Sequence, residues 1–158
     1  MPSNRLLTSA KDSAISIDAT PTWSPAGNQI AFTSDRSGSV QIYIVDADAL
    51  GQPRRITTNE SWADRATWSP APYNEIAYAG RSGPGFDIKV YDVASAQIKV
   101  LTDGLGSNES PSFSQNGRHL AFTSTRFGKV QVFTIARDGQ GLRQVTRVGN
   151  NTFPNWSR

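Results

Sequence analysis

The stretch Pro21-Thr22-Trp23-Ser24-Pro25 decides the fold, because closely similar stretches recur along the chain. They are Ala66-Thr67-Trp68-Ser69-Pro70, Pro111-Ser112-Phe113-Ser114-Gln115 and, near the end, Pro154-Asn155-Trp156-Ser157. The central aromatic residues of successive copies lie 45, 45 and 43 residues apart. A period of about 40 to 45 residues is typical of repeat proteins in which each repeat forms one supersecondary unit.

Three more blocks follow the aromatic block in each complete copy. In the first copy they are Ile30–Ser34, Gln41–Asp46 and Arg54–Thr57. Each block is short, rich in β-branched and aromatic residues and bounded by Gly, Pro, Asn or Asp, which indicates strands joined by turns. The Gln41–Asp46 block is apolar on both faces, as expected of a strand that is covered on both sides. The repeat therefore predicts an all-β fold, a β-propeller of four-stranded antiparallel blades.

The positions of the blocks predict how the chain is divided. Three full blades are expected at about residues 18–58, 63–103 and 108–147. Residues 1–17 are expected to form a leading outer strand and linker, and residues 152–158 a terminal inner strand. The aromatic residues that recur in register are expected to lie in the core, and they are Trp23, Trp68, Phe113 and Trp156.

The composition of the 158-residue chain argues against several classes of protein. It has no cysteine and a single histidine, His119, so we expect no metal site and no cofactor. No Gly-x-Ser-x-Gly motif occurs and no nucleophile accompanies His119, which argues against an enzyme. The net charge of +3 comes with scattered arginines, so we expect no nucleic acid as partner. No apolar stretch is long enough for a membrane span or a signal peptide in this chain.

Three arginines occupy the same position of successive repeats, and they are Arg36, Arg81 and Arg126. Each is expected in the loop between the second and third strands of its blade, two residues before a glycine. Equivalent positions of a propeller form a ring about its axis, so these guanidinium groups could accept the carboxylates of a partner. Alternatively, each arginine joins neighbouring blades through a carboxylate or a loop carbonyl, because every repeat needs the same structural joint.

The loops between the outer strand of one blade and the inner strand of the next lie on the same face and differ between copies. They supply the other candidates for a partner-binding face, which are Trp62, Asp64, Arg65, Glu109 and Asn151. Trp62 occurs in one copy only, and a tryptophan close to Asp64 and Arg65 suits an interface anchor. Packing across a blade junction is the alternative role for its aromatic ring.

The repeat resembles the WD-like repeat of the TolB family, whose propeller has six blades. The resemblance rests on the motifs Pro-x-Trp-Ser-Pro-x-Gly, Ile-Ala-Phe-x-Ser-x-Arg-x-Gly and Arg-Arg-Ile-Thr, and it extends from Arg5 to Arg158. It implies a non-catalytic platform for protein–protein interaction in the Tol–Pal system of the bacterial cell envelope. The implied location is the periplasm, and the implied partner is the peptidoglycan-associated lipoprotein.

Related repeats imply an alternative function. They also occur in peptidases of the prolyl-oligopeptidase and tricorn types, so the chain could instead be a propeller gate for substrate access that lacks its catalytic domain. The number of blades does not determine how the propeller closes, because three full blades are about half of a six-bladed propeller. Two copies could close the ring as a homodimer, or the chain could be part of a longer gene product.

Overall fold

The computed structural model describes residues 16–48 and 51–156. Within these ranges the chain forms strands and no helix, so no described helix could cross a membrane. The first sheet contains β1 (Asp18–Trp23), β2 (Gln29–Ser34), β3 (Gln41–Asp46) and β4 (Arg54–Arg55). The second contains β5 (Ala63–Trp68), β6 (Glu75–Ser82), β7 (Gly85–Asp92) and β8 (Ile98–Val100). The third contains β9 (Asn108–Phe113), β10 (His119–Ser124), β11 (Gln131–Ala136) and β12 (Arg143–Gln144).

Each sheet is one blade, in which four consecutive strands pair antiparallel in chain order. The predicted all-β architecture of four-stranded antiparallel blades is therefore confirmed. The first five residues of β3 are buried, in agreement with the apolar character of both its faces. Tight turns join the first two strands of blades 1 and 3, where Gly27 and Gly117 have φ angles of +70° and +67° that favour glycine.

The outer strand of blade 1 is shorter than its sequence block, because β4 ends at Arg55. Thr57 explains this end, since its hydroxyl oxygen accepts a hydrogen bond from the backbone N–H of Ile42 at 3.0 Å. A side chain thus continues the pairing to the third strand where the backbone ladder stops. Thr102 and Thr146 make the equivalent bond in the other two blades. One threonine per repeat therefore fastens the outer edge of each blade.

Every inner strand contains a bulge at the same repeat position. Thr20, Arg65 and Ser110 have φ angles of +48°, +57° and +54°, and the pairing with the second strand shifts register there. A non-glycine residue in this left-handed region costs about 1 to 3 kcal/mol and persists only where its surroundings hold it. Phe153, immediately before the fourth aromatic block, has a φ of +52°. Phe153 therefore has the same left-handed φ as the bulge residue of each inner strand.

The hydrophobic cores lie between blades. At the first junction, Ala31, Ile42, Ile44 and Ile56 of blade 1 pack against blade 2, which contributes Trp68, Ile76, Tyr78 and Tyr91. At the second junction, Ala77, Ile88, Val90 and Leu101 of blade 2 pack against blade 3, which contributes Phe113, Leu120, Phe122, Phe133 and Ile135. We call the first side of each junction the trailing face of its blade. The second side, which carries the aromatic block, is the leading face.

The prediction that all four recurring aromatic residues lie in the core is wrong for two of them. Trp68 and Phe113 are 5% and 8% exposed, whereas Trp23 and Trp156 are 59% and 36% exposed. Trp23 lies on the leading face of blade 1, which no blade of the described chain covers. For Trp23 and Trp68, burial therefore depends on the neighbouring blade and not on the repeat sequence itself.

The expected terminal inner strand is not formed over its described residues. Residues 152–156 belong to no strand. An inner strand obtains its hydrogen bonds from the second strand of its own blade, and all twelve described strands belong to the three blades above. The segment contacts blade 3 instead, where Trp156 Nε1 donates to the carbonyl oxygen of Ser112 at 3.0 Å. The expected leading outer strand, residues 5–8, lies outside the described residues, as do residues 157 and 158.

Candidate functional site

The loops that follow the second and outer strands gather at one end of the propeller, which we call the loop face. It comprises residues 35–40, 56–62, 81–84, 101–107, 125–130 and 145–151, and it includes Arg81, which lies at the end of β6 and not in the predicted loop. Its central loops touch one another, since the N–H of Arg81 donates to the carbonyl of Trp62 at 2.9 Å. A Cβ atom at Gly85 would lie 2.5 Å from the Gly106 carbonyl oxygen, and one at Gly106 would lie 2.6 Å from the backbone nitrogen of Arg126. These loops therefore form one continuous surface.

Arg36 is held within blade 1. Its Nη2 donates to Asp18 Oδ1 at 2.8 Å, and its Nε donates to Ser34 Oγ at 2.9 Å. The guanidinium also lies over the rings of Phe32 and Tyr43, 5.1 and 5.0 Å from their centroids. Both the charge and the flat face of this guanidinium are thus occupied by its own blade.

Arg126 connects two blades. Its Nη2 donates at 2.9 Å to Asp103 Oδ1, in the loop between blades 2 and 3, and its guanidinium lies 5.4 Å from the Phe133 centroid. The Arg126 side chain is only 5% exposed. Burial alone would raise the pKa of Asp103, but the backbone N–H groups of Asp103 and Leu105, together with Arg126, outweigh burial and lower this pKa. The contact is of the kind expected of a structural joint.

Arg81 differs from its two counterparts. In blades 1 and 3 the arginine lies over an aromatic residue of the third strand, whereas Lys89 stands at that position in blade 2. Arg81 lies instead over Phe86, 5.1 Å from its centroid, in a hairpin whose strands β6 and β7 have eight residues each. This longer hairpin leaves Arg81 exposed, and it forms no ion pair with any described residue.

A buried charged cluster lies below the Arg81 backbone. Lys89 Nζ lies 2.8 and 2.9 Å from the two carboxylate oxygens of Glu60, and the hydroxyl of Tyr78 donates to the same carboxylate at 3.3 Å. The Lys89 and Glu60 side chains are 11% and 7% exposed. Burial, the charge of Glu60 and the hydrogen bond to Glu60 raise the pKa of Tyr78 far above its usual value of 10.0. The cluster fixes the loop that carries Trp62 to the third strand of blade 2.

The raised pKa of Tyr78 predicts a loss of stability in alkaline solution. Its contribution is complete below the unfolded pKa near 10 and is lost as the pH rises above that value, because only the unfolded chain then releases the proton. Between about pH 10 and pH 11 this loss is about 1 kcal/mol. Tyr78→Phe has no ionisable hydroxyl, so its free energy of unfolding should fall less over the same interval. Urea unfolding at the two pH values measures the difference, and equal falls would contradict the assignment.

The loop face exposes apolar side chains that the repeat pattern did not single out. Leu105, Phe127 and Val148 are 57%, 71% and 87% exposed, and Trp62 is 42% exposed. The sequence indicated these residues only by their place in variable loops, because the exposure of a loop side chain depends on the conformation of the loop. Exposed aromatic residues together with arginine are the composition that protein interfaces favour.

Asp64 and Arg65 lie between the inner strands and not on the loop face. Arg65 Nη1 donates to Ser110 Oγ at 3.1 Å, and its guanidinium lies 4.8 Å from the Phe153 centroid. Asp64 Oδ1 accepts a hydrogen bond from the Thr33 hydroxyl at 3.1 Å. A shallow cavity of about 230 Å³ opens beside Arg65. These two residues therefore contribute to the packing of the inner strands around the axis.

Glu109, in β9, and Asn151, in the loop after β12, bond to neighbouring loop residues. Glu109 Oε1 accepts from the Ser107 hydroxyl at 2.8 Å, and Asn151 Nδ2 donates to the Val148 carbonyl at 2.9 Å. Of the eight predicted candidates, the structure brings Trp62 and Arg81 together on an exposed surface. The other six have polar partners inside the protein.

Within residues 16–48 and 51–156, no group of three or more His, Cys, Asp or Glu side chains could hold a metal ion. His119, the first residue of β10, is exposed.

The fold and the loop face define the class of protein, which is a section of a β-propeller with WD-like blades. The sequence profile of the TolB beta propeller domain matches residues 4–158. The chain therefore belongs to the TolB β-propeller family.

Three known proteins show the extent of the similarity. The Tol-Pal system protein TolB of Nitrosospira multiformis is 34% identical over 82 residues, which are 51% of this chain and 18% of that protein. The structure of putative TolB from Agrobacterium tumefaciens has a TM-score of 0.80 at 29% identity and covers 87% of this chain and 50% of its own. TolB from Acinetobacter baumannii has a TM-score of 0.75 at 29% identity, with coverages of 92% and 36%. The chain thus spans at most half the length of these proteins.

Proposed function

We propose that the chain is a non-catalytic platform whose loop face binds a protein partner. The observation that carries this proposal is the continuous surface on which Trp62, Arg81, Leu105 and Phe127 are exposed. Tryptophan and arginine are among the residues that most often carry the binding energy of an interface. The exposed guanidinium of Arg81 can bind a partner carboxylate in a bidentate geometry.

The partner that we propose is the soluble domain of the peptidoglycan-associated lipoprotein, and the proposed location is the periplasm. Family membership supports both, as does the relative whose name assigns it to the Tol-Pal system. The loop face offers a partner exposed apolar side chains and the guanidinium of Arg81, which forms no ion pair with a described residue. The ring of three equivalent arginines is not part of the proposal, because Arg36 and Arg126 are engaged within the protein.

The alternative function, a substrate gate for a peptidase, has one supporting observation. A puromycin-hydrolyzing peptidase from Mycobacterium tuberculosis shares the fold with a TM-score of 0.62. At 16% identity, this likeness concerns the fold alone. A gate module has no need to bind the lipoprotein, so the binding experiment separates the two functions.

Calorimetric titration with the soluble domain of the lipoprotein tests the proposal. We expect saturable binding with a Kd of about 1 to 10 µM. Trp62→Ala and Arg81→Ala should each raise the Kd at least about fivefold, because truncation of an interface anchor costs more than about 1 kcal/mol. Arg118→Ala is the matched control, since it removes the same charge from an exposed residue in a turn at the opposite end of the propeller.

Two results would contradict the proposed function. One is the absence of binding by the folded protein at about 100 µM of both components. The other is an equal loss of affinity in Arg118→Ala and Arg81→Ala, because binding would then depend on overall charge and not on the loop face.

A further inference from the structure

Two exposed aromatic residues of the loop face each have an exposed cation close by. At blade 2, the carbonyl oxygen of Trp62 accepts the backbone N–H of Arg81 at 2.9 Å. At blade 3, Lys129 follows Phe127 by two residues in the loop between β10 and β11. Trp62 and Phe127 are 42% and 71% exposed, and both cations are exposed as well. We call these the blade 2 pair and the blade 3 pair.

The loop between blades 2 and 3 joins the two pairs into one stretch of surface. Its Gly106 touches the hairpin of the blade 2 pair at Gly85 and the loop of the blade 3 pair at Arg126, with no room for a Cβ atom at either contact. Leu105, the neighbour of Gly106, is 57% exposed. An apolar side chain is therefore exposed on the loop that connects the two pairs.

The position of Phe127 is set by the described blades. Its ring centroid lies 6.0 Å from that of Phe133. Phe133 is buried in the core between blades 2 and 3. Phe127 thus lies on the side of blade 3 that faces blade 2, and not on the trailing face of blade 3. Its exposure is therefore a property of the junction between these two blades.

The carboxylates around the two pairs are already engaged by other groups. Glu60 is 7% exposed and belongs to the buried charged cluster. Asp103, in the loop between the pairs, bonds to Arg126 at 2.9 Å. Asp87, below the same loop, is 5% exposed and accepts the backbone N–H of Gly104 at 3.0 Å. These carboxylates are therefore poorly placed to neutralise a further cation at the surface.

The cations of the two pairs remain without such a partner. Neither Arg81 nor Lys129 forms an ion pair with any residue in the ranges 16–48 and 51–156. The exposed charge that is left unpaired at the two pairs is therefore positive. A positive surface attracts a partner of opposite charge and disfavours one of like charge.

We propose that the two pairs together bind an acidic segment of a protein partner, in which carboxylates stand beside apolar side chains. This rests on the proposed function and specifies the chemistry of the bound segment. One carboxylate takes the guanidinium of Arg81 in a bidentate geometry, and another takes the ammonium group of Lys129. Apolar side chains of the segment pack on Trp62, Leu105 and Phe127, because an interface combines apolar burial with complementary charge.

Titration with two synthetic peptides tests this inference without the lipoprotein. One peptide contains Asp and Glu around Phe residues, and the other has Asn and Gln in place of the acidic residues. At about 50 mM NaCl the acidic peptide should bind at least about fivefold more tightly than its amide analogue. An increase to about 500 mM NaCl should remove most of this preference, because salt screens the attraction between exposed charges.

Variants of the blade 3 pair locate the binding of the acidic peptide. Lys129→Glu should raise its Kd at least about fivefold at low salt, because the variant replaces an attraction by a repulsion. Phe127→Ala should also weaken binding at least about fivefold, through the loss of an aromatic contact. Arg118→Glu is the matched control, since it reverses one charge at the opposite end of the propeller, and it should change the Kd less than about twofold.

Three results would overturn the acidic segment. They are equal affinities for the two peptides, no binding of either peptide at about 1 mM, and equal effects of Lys129→Glu and Arg118→Glu. Because Lys129 and Arg118 are exposed, both variants should retain the near-ultraviolet circular dichroism of the unmodified protein. If Phe127→Ala fails to fold, Lys129→Glu decides.

The outcome for the proposed function is separate. A preference for the acidic peptide without any binding of the lipoprotein domain would contradict the proposed partner and support the acidic segment. Binding of the lipoprotein domain without a preference between the peptides would overturn the acidic segment alone.

Discussion

Replacing Trp68 with alanine should lower the free energy of unfolding by about 3 to 5 kcal/mol, the usual cost of removing a buried large aromatic side chain. Trp68 is 5% exposed and packs in the junction between blades 1 and 2. Its Nε1 also donates to Asn74 Oδ1 at 2.8 Å, so truncation leaves a cavity and an amide oxygen without its donor. The loss should appear as a lower midpoint of urea unfolding with a nearly unchanged slope.

Trp23→Ala is the matched control for this prediction. The two tryptophans occupy the same repeat position, but Trp23 is 59% exposed. Trp23→Ala should therefore cost about 1 kcal/mol or less. Equal losses in the two variants would contradict the account, because they would mean that the stability comes from within each blade and not from the junctions.

The second large effect is expected at the buried pair of Glu60 and Lys89. Glu60→Gln removes the charge but keeps the size, and it leaves the Lys89 ammonium group without a carboxylate in a site that is 11% exposed. Removal of one partner of a buried ion pair costs about 3 to 5 kcal/mol, so we expect the free energy of unfolding to fall by about 3 kcal/mol. Urea unfolding at neutral pH measures it.

The other blades indicate a second substitution that should restore the stability of this variant. Tyr43 and Phe133 stand at the position of Lys89 in blades 1 and 3, so an aromatic ring suits this place in the repeat. Lys89→Phe in the Glu60→Gln background should therefore recover more than half of the lost stability. If the double variant is no more stable than Glu60→Gln alone, the loss comes from the loop that holds Glu60 and not from the unpaired ammonium group.

The strands were predictable because apolar blocks and the turn residues between them recur in every repeat. The second block of the third repeat, Leu120–Ser124, agrees with β10 to within one residue. The outer strands were predicted too long, because Thr57 has strand propensity but uses its side chain to bond to the third strand. The strand propensity of Thr57 does not show that its side-chain hydroxyl takes the place of a backbone group in this hydrogen bond.

The burial of the aromatic residues was predictable only in part. Trp23 and Trp68 lie in nearly identical sequences, so no local pattern can distinguish the exposed residue from the buried one. The difference arises from the neighbouring blade, because blade 1 covers Trp68 and no described blade covers Trp23. The same reason explains why the segment around Trp156 keeps one inner-strand φ angle but forms no strand.

The sequence pattern did not show that the three recurring arginines have different surroundings. Trp62 and Arg81 were among the candidates and lie together on the loop face. The three arginines looked equivalent, yet Lys89 displaces Arg81 from the contact that its counterparts make. The sequence contained that signal, because Lys89 replaces an aromatic residue, but its meaning depends on which residues stack across the sheet.

Amide hydrogen exchange of the protein, with and without the soluble domain of the lipoprotein, tests the central claim most directly. The account predicts slower exchange in the loops at residues 56–62, 83–84, 101–107 and 125–130. The turns at the opposite end, around Gly27 and Gly117, should exchange at an unchanged rate. Slower exchange at those turns, or no change on the loop face when the partner is bound, would contradict the claim that the loop face is the binding surface.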